Sequence, residues 1–341
     1  MSRPSGIGSW PGRDVRTVLR QIRDILADAR DDPRGGIPYL PELPERGPGA
    51  DMIGRTAGLL VELPVDLQPS GWRLVDRPGR DAARTSALIR GDLDELAEAF
   101  DGYAGSLKVQ VVGPWTMAAQ LRVHRGERVL VDAGAVRELT MSLAAGVAVH
   151  LDAVQRLVPG AELVLQIDEP MLPDVLAGEL ATSSGFGRLP VVDPAEARRG
   201  LSEVVGAAGG ASTVVHCCAP LVPLPLLRQS GVNAVALDTS LLGVAGWESV
   251  AATIEAGVAL WAGVIRTGGS HPFEEPGRHD HHQRVEPLVR AWRAVGLPVA
   301  GLNDVVLTPA CGLTGWSPQQ ARAAQQGIVD AAGALTALAT A

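Results

Sequence analysis

Lysine is almost absent from this chain of 341 residues: Lys108 is the only one, and arginine supplies the other cationic side chains. Schiff-base chemistry requires a lysine amine, so it is excluded unless Lys108 performs it. The formal net charge of −8 gives no attraction toward nucleic acid or an anionic membrane surface. Because 46% of the residues are hydrophobic and 20% are charged, the composition predicts a sizeable core rather than disorder.

Cysteine is also scarce, and long hydrophobic runs are missing. Three cysteines are an odd number, which is a poor basis for a disulfide framework and fits a reducing compartment. No window reaches about 18 consecutive apolar residues, the length that a membrane span requires. A signal peptide has an apolar segment next to positive charge, and residues 1–36 contain no such segment. We therefore expect a cytoplasmic protein that binds neither nucleic acid nor a membrane.

Short apolar runs alternate with segments of helical periodicity along the chain. The runs predict eight strands, at residues 5–10, 36–42, 108–113, 162–168, 212–217, 233–238, 258–265 and 303–307. Helices are predicted at residues 14–30, 92–100, 133–157, 194–208, 247–256, 283–295 and 318–338. This alternation indicates parallel strands with crossover helices, and eight strands favour a single-domain (β/α)8 TIM barrel over residues 1–341. The second run is rich in proline, and residues 43–106 form a long elaborated connection after it.

A doubly wound open sheet is the alternative architecture. A dinucleotide-binding sheet of that kind carries the pattern G-x-G-x-x-G after its first strand. The candidate here reads Gly6-Ile7-Gly8-Ser9-Trp10-Pro11 and lacks the third glycine. The pattern therefore gives that alternative little support.

All three cysteines lie where a metal ion could use them. Side chains alternate between the two faces of a strand, so His216 and Cys218 point one way and Cys217 points the other. Cys311 follows the eighth predicted strand and can join them at the same end of a barrel. A lone buried cysteine or histidine usually belongs to the core. One imidazole and two thiolates at a shared edge instead predict a zinc site, with Cys217 outside it.

Carboxylates follow two other predicted strands at the same end of the barrel. Asp168 and Glu169 end the fourth strand, where adjacent acids either form structural ion pairs or bind a cationic amine of a substrate. Asp238 ends the sixth strand and either caps the next helix or supplies an oxygen ligand that a substrate can displace.

Aromatic and histidine residues near strand ends have two interpretations each. A flat ligand could stack on a tryptophan at this edge, although tryptophans more often pack in a core; the candidates are Trp10, Trp115 and Trp316. Four histidines after the seventh strand suggest either a second metal site or a polar loop: His271, His279, His281 and His282. His271 lies nearest to the strand and is the candidate for proton transfer.

Taken together, these motifs resemble the catalytic C-terminal barrel of cobalamin-independent methionine synthase and its short relatives. They occur in the family's order over nearly the whole chain: Ile7-Gly8-Ser9-Trp10-Pro11, Gly113-Pro114-Trp115-Thr116, Gln166-Ile167-Asp168-Glu169-Pro170, His216-x-Cys218, Leu237-Asp238-Thr239-Ser240 and Pro309-Ala310-Cys311-Gly312-Leu313. The specific part of the resemblance is the H-x-C pair together with the distant C-G-L.

This resemblance implies ligands, substrates and roles for individual residues. Zinc would be held by His216, Cys218, Asp238 and Cys311, with aspartate standing where the family has glutamate. Homocysteine would be bound by Ile7, Ser9, Asp168 and an acid after the second strand, for which Glu42 is our choice and Glu45 the competitor; Trp115 would line the same site. His271 would replace the histidine of the family's D-I-H-S motif, which is missing here.

Three functions are compatible with this reading. The leading one is zinc-dependent methyl transfer to homocysteine, with 5-methyltetrahydrofolate or a methyl-corrinoid protein as donor. The full-length enzyme that the resemblance points to has an additional N-terminal barrel that helps to hold the folate. We expect no such barrel in 341 residues, so the identity of the methyl donor stays open. The second function is alkylation of another thiol, such as the opening of epoxides by coenzyme M. The third is a non-catalytic protein that binds zinc or thiols.

Overall fold

Nine strands and eleven helices occur in residues 1–27, 35–267 and 281–340, which the computed structural model describes. The strands are β1 Arg3–Pro4, β2 Val65–Gln68, β3 Gly71–Leu74, β4 Ser106–Val112, β5 Glu162–Asp168, β6 Ser212–Cys217, β7 Ala234–Asp238, β8 Ala259–Ile265 and β9 Val306–Pro309. The helices are α1 Val15–Leu26, α2 Met52–Ala57, α3 Arg80–Ala99, α4 Pro114–Gln120, α5 Ala133–Leu157, α6 Leu172–Ala177, α7 Pro194–Gly206, α8 Leu224–Gln229, α9 Val244–Glu255, α10 His281–Ala294 and α11 Pro318–Thr340.

Seven parallel strands form one curled sheet in the order β1-β9-β8-β7-β6-β5-β4. Residues 37–42 fill the eighth position, because single bridges join Ile37 to Ser5 and Tyr39 to Lys108. Prolines at positions 38 and 41 have no N–H to donate, so this segment forms bridges instead of a continuous ladder. The ring of eight confirms the TIM-barrel prediction and excludes the open doubly wound sheet. A single-domain organisation stays a prediction.

Several predicted boundaries differ from the structure. Helix α5 has the predicted bounds, whereas α3 begins at Arg80, twelve residues before the predicted start at 92. The last barrel strand begins at Val306, because residues 299–304 form a 3-10 helix. The sequence analysis missed four short helices (α2, α4, α6 and α8) and the β2–β3 hairpin. Each of these has only four to seven residues, too few for a clear period.

The long connection after the second barrel strand contains the hairpin, α2 and α3, as an elaborated connection would. Asp92 on α3 is 1% exposed and pairs with two arginines of this connection. The carboxylate accepts from Arg46 Nη1 at 2.6 Å and also from Arg55 on α2. Because removing one partner of a buried ion pair leaves an uncompensated charge, this pairing fixes α2 against α3. Helix α2 thereby keeps its place at the mouth of the barrel.

An apolar plug fills the lower half of the barrel interior. This plug consists of seven buried side chains that come from six of the eight strand positions of the barrel: Ile37, Val164, Val214, Ala234, Ala236, Trp261 and Val306. Alternation carries the same inward face upward along each strand, so Val164 is followed by Gln166 and Asp168, and Val214 by His216. The inward polar side chains Gln166, Asp168 and His216 therefore lie above the plug, toward the carboxyl ends of the strands, where barrel enzymes carry their sites.

None of the helices in the described part of the chain has the length and apolarity that crossing a membrane would require.

Candidate active site

A cavity of about 350 Å³ opens at the carboxyl end of the barrel. Seven of the predicted site residues line it: Ile7, Ser9, Glu42, Asp168, His216, Cys218 and Cys311. The wall is completed by residues from the first barrel strand, the long connection and the loops after β5 and β9. Residues more than 300 positions apart in sequence thus meet in one pocket because the barrel closes β1 against β9.

The sulfur and imidazole groups form a compact cluster at one side of this cavity. Ligand atoms of His216, Cys218 and Cys311 all lie within 4.8 Å of one another, and the two Sγ atoms are 3.3 Å apart. His216 Nδ1 lies 3.3 Å from the carbonyl oxygen of Ala236, whereas its buried Nε2 has no hydrogen-bond partner among the described residues. A buried nitrogen without a partner is costly unless a ligand occupies it. This donor set fits a thiophilic ion such as zinc.

The two sulfurs of the cluster differ in acidity. The hydrogen bond that Cys218 donates lowers the pKa of the Cys311 thiol, and the same bond raises the pKa of Cys218. Cys217 lies outside the cluster, as strand alternation predicts, and burial raises the pKa of its thiol to about 12. Cys311 is therefore the more acidic thiol of the pair, and Cys217 remains a protonated core residue.

Two buried carboxylates line the same cavity as the sulfurs. Burial, followed by the charge of Asp168, raises the pKa of Glu42 to about 7. Burial is also the main cause that raises the pKa of Asp168, whose Oδ1 accepts a 2.7 Å hydrogen bond from Gln166. Glu45, the competing candidate, does not line the cavity; its Oε1 accepts from the Gly12 N–H at 2.7 Å. Glu42 is thus the acid of this connection that faces the pocket.

The acids at positions 168 and 169 have separate surroundings. Glu169 is fully buried and caps the start of α4, where it accepts from the backbone N–H groups of Trp115 and Thr116 at 2.9 and 2.8 Å and from the Thr116 hydroxyl at 2.7 Å. Burial raises the pKa of Glu169 to about 7. Only Asp168 reaches the cavity, so a substrate role falls to that residue alone.

Two predicted site residues, Asp238 and Trp115, do not line the cavity. Asp238 Oδ1 accepts from the N–H and hydroxyl of Ser240 at 3.0 and 2.7 Å, which is the capping role considered above. Trp115 is 1% exposed, and its indole N–H donates to the carbonyl of Ala197 at 2.7 Å, within the core. Neither residue lines the pocket. His271 lies outside the described residues, so its role in proton transfer stays a prediction.

Sequence analysis missed two polar residues beneath the pocket, Lys108 and Gln166. Both are buried on the inward face, and burial lowers the pKa of the Lys108 ammonium to about 7. Their signal was present in the sequence: Lys108 interrupts an apolar strand, and Gln166 lies two residues before Asp168, on the same face. Lys108 does not line the cavity, which removes it as a Schiff-base residue.

Gly312 lets the loop that carries Cys311 pack directly against Ser9. A Cβ at position 312 would lie 1.9 Å from Ser9 Oγ, and the Leu313 N–H donates to the Ser9 carbonyl at 2.9 Å. We expect Gly312→Ala to displace the Ser9 side chain and raise the KM for the acceptor about tenfold, with metal content unchanged. Gly315→Ala is the matched control, because a Cβ there meets nothing within 4 Å. Equal behaviour of the two variants would contradict a binding role for Ser9.

Comparison with known proteins assigns the chain to a family. Residues 5–334 match the model of the cobalamin-independent synthase catalytic domain. No curated protein matches the chain significantly. Among solved structures, a B12-independent methionine synthase from Shewanella sp. W3-18-1 in complex with selenomethionine is 14% identical, with 77% of this chain and 70% of that chain covered and a TM-score of 0.49.

A methylaspartate ammonia lyase from Clostridium tetanomorphum is 11% identical, with 99% of this chain and 59% of that chain covered and a TM-score of 0.46. With TM-scores below 0.5, neither structural likeness carries an argument about this chain. The family match does, because it extends over nearly every described element and includes all seven lining residues named above. The chain belongs to the family of cobalamin-independent synthase catalytic domains, whose chemistry is that of a methionine-forming methyltransferase.

Proposed function

We propose that this protein is a zinc-dependent methyltransferase that methylates the thiol of homocysteine and forms methionine. The observation that carries the proposal is one cavity in which a His-Cys-Cys cluster faces two buried carboxylates. Homocysteine has a thiol at one end and an ammonium group at the other. The cluster suits the thiol, and Glu42 and Asp168 suit the ammonium group.

His216, Cys218 and Cys311 are the residues that would hold zinc. When bound, zinc supplies the thiolate that the reaction needs, because a coordinating thiol is deprotonated near neutral pH. Asp238 is proposed as a fourth, displaceable oxygen ligand. To act as one, its carboxylate must give up the hydrogen bonds that it accepts from Ser240. As cysteinates, Cys218 and Cys311 would balance the charge of the ion and so preserve the nucleophilicity of an acceptor sulfur.

The remaining residues orient the acceptor. Glu42 and Asp168 are both 5% exposed, so an ammonium group between them is shielded from water and strongly attracted. The half-buried Ser9 hydroxyl, which has no partner among the described residues, is proposed to receive the α-carboxylate. A substrate fixed at both ends presents its sulfur in one direction, which is the condition for in-line attack on a methyl group.

During transfer the sulfur–carbon bond forms as the bond between the methyl group and its donor breaks, and the donor keeps the electron pair. We propose 5-methyltetrahydrofolate or a methyl-corrinoid protein as the donor. A folate nitrogen takes up a proton as it departs, and His271 is proposed to supply it. Methionine formed from homocysteine with each donor, measured by mass spectrometry, distinguishes the two. Catalysis in the cytoplasm likewise stays a prediction.

Coenzyme M fits the cavity less well than homocysteine. Its sulfonate is an anion, and no lysine or arginine occurs among the described residues that line the cavity. Glu42 and Asp168 would repel a sulfonate, which disfavours epoxide opening. A non-catalytic zinc or thiol-binding role is disfavoured by the family match.

Proton release tests the choice of acceptor. We expect zinc-loaded protein titrated with homocysteine at pH 8 to release about three quarters of a proton per chain, because a free thiol with a pKa of about 8.5 is still mostly protonated there. At this pH Glu42 is already ionised and adds little. Coenzyme M should give no measurable release; strong release with coenzyme M alone would overturn the proposal.

A further inference from the structure

The only lysine of the chain lies fully buried beneath the cavity. Lys108 Nζ donates to the Ile7 carbonyl at 2.6 Å and to Gln166 Oε1 at 2.7 Å, and it lies 5.0 Å from the centre of the Tyr39 ring. An ammonium group has only donors, so it forces Gln166 to present its oxygen downward. The amide NH2 of Gln166 must then point to the other side.

That NH2 group makes the two contacts that matter for the acceptor. Gln166 Nε2 donates to the Ile7 carbonyl at 2.8 Å and to Asp168 Oδ1 at 2.7 Å. The Ile7 carbonyl accepts from both side chains, which uses both of its lone pairs. One amide group thereby holds both the peptide that leads to Ser9 and the carboxylate of Asp168, and both of these residues line the pocket.

A purely structural role explains these contacts poorly. Lys108 pairs in register with Val164, one of the apolar side chains of the barrel interior, so packing at this level does not require a charge. Replacing a buried charged group by an apolar residue of similar volume is often neutral for stability. Two hydrogen bonds to groups that connect to the acceptor site are instead what a positioning residue needs.

We infer that Lys108 is a positioning residue for the acceptor: through Gln166 and the Ile7 carbonyl it orients Asp168 and the Ser9 turn toward an amino-acid thiol. The inference rests on the proposed function. Lys108 touches no substrate, so it acts on acceptor binding rather than on bond formation. Its removal affects only thiols that carry the polar amino-acid end.

The test compares two thiols on zinc-loaded full-length protein by titration calorimetry. Homocysteine carries the amino and carboxylate groups, and 1-propanethiol lacks both. For Lys108→Met we expect about a tenfold loss of homocysteine affinity, less than a twofold change for propanethiol, and an unchanged zinc content. In turnover assays the KM for homocysteine rises while kcat changes little. Gln166→Leu, which keeps the ammonium but breaks the connection to Asp168, shows the same selectivity.

Thr308→Val is the matched control, because Thr308 is 1% exposed and its hydroxyl has no hydrogen-bond partner. It should leave both affinities unchanged. Equal losses for the two thiols, no loss, loss of zinc, or unfolding of both Lys108→Met and Gln166→Leu would overturn the inference. Failure of the wild-type protein to bind homocysteine would instead contradict the proposed function, so the two failures are distinguishable.

Discussion

Replacing Cys218 or Cys311 by serine is expected to remove zinc from the protein and abolish methyl transfer. Each sulfur supplies one of the three ligand atoms that lie within 4.8 Å of one another, and a hydroxyl is a poor ligand for a thiophilic ion. Without zinc, a thiol with a pKa of about 8.5 is only about 3% ionised at pH 7. Loss of thiolate alone therefore predicts at least a 30-fold fall in rate, and loss of positioning adds to it.

Metal analysis by mass spectrometry should show about one zinc per wild-type chain and close to none in either variant. Cys217→Ala is the matched control in the same strand, because this fully buried thiol lies outside the cluster. It should keep both its zinc and its activity. Wild-type protein that folds normally without zinc would refute the metal site, and zinc loss in Cys217→Ala would refute the assignment of faces.

Simple strand alternation was sufficient to separate Cys217 from Cys218. The rule works here because β5 and β6 pair in regular parallel register, with Asp168 opposite His216. Hydrogen-bonded pairing of the strands then fixes the alternation of successive side chains between the two faces of the sheet. The fold prediction succeeded for the same reason, since each regular strand leaves a clear apolar run.

Strand alternation could not predict the direction in which the side chains of Glu42, Asp238 and Trp115 point. Glu42 follows a proline-rich segment held by single bridges, so no ladder defines its direction from sequence alone. The Asp238 side chain is engaged by Ser240, a short-range hydrogen bond that depends on a rotamer choice. Trp115 follows a strand end but turns into the core, because its N–H finds an acceptor on α7.

Lys108 and Gln166 show a further limit of reading motifs. Neither contacts the cavity, so neither belongs to a recognisable ligand pattern, yet both bond to Ile7, which lines it. Their roles become visible only when residues 58 positions apart are joined by a hydrogen bond in the barrel interior. Buried polar residues on otherwise apolar strands are the sequence signal for such supporting networks.

Neutralising the carboxylate pair is expected to weaken homocysteine binding about 30- to 100-fold for either Glu42→Gln or Asp168→Asn. A hydrogen bond to a charged group is worth about 2–3 kcal/mol, and each 1.4 kcal/mol corresponds to a factor of ten. The comparison thiol is 4-mercaptobutanoate, which is homocysteine without its amino group. Its affinity should change little in either variant, and calorimetry on zinc-loaded protein measures both.

The pH dependence of binding gives Glu42 a distinct signature. Because the pKa of Glu42 is raised to about 7, the carboxylate is protonated below that pH and must lose its proton before it can pair with an ammonium group. As the pH falls below 7, the affinity for homocysteine should therefore decrease by up to tenfold per pH unit. This slope adds to any pH dependence that homocysteine shares with 4-mercaptobutanoate. This additional slope should disappear in Glu42→Gln and should be absent for 4-mercaptobutanoate with the wild-type protein. An unchanged slope in Glu42→Gln would show that the ammonium group is bound elsewhere.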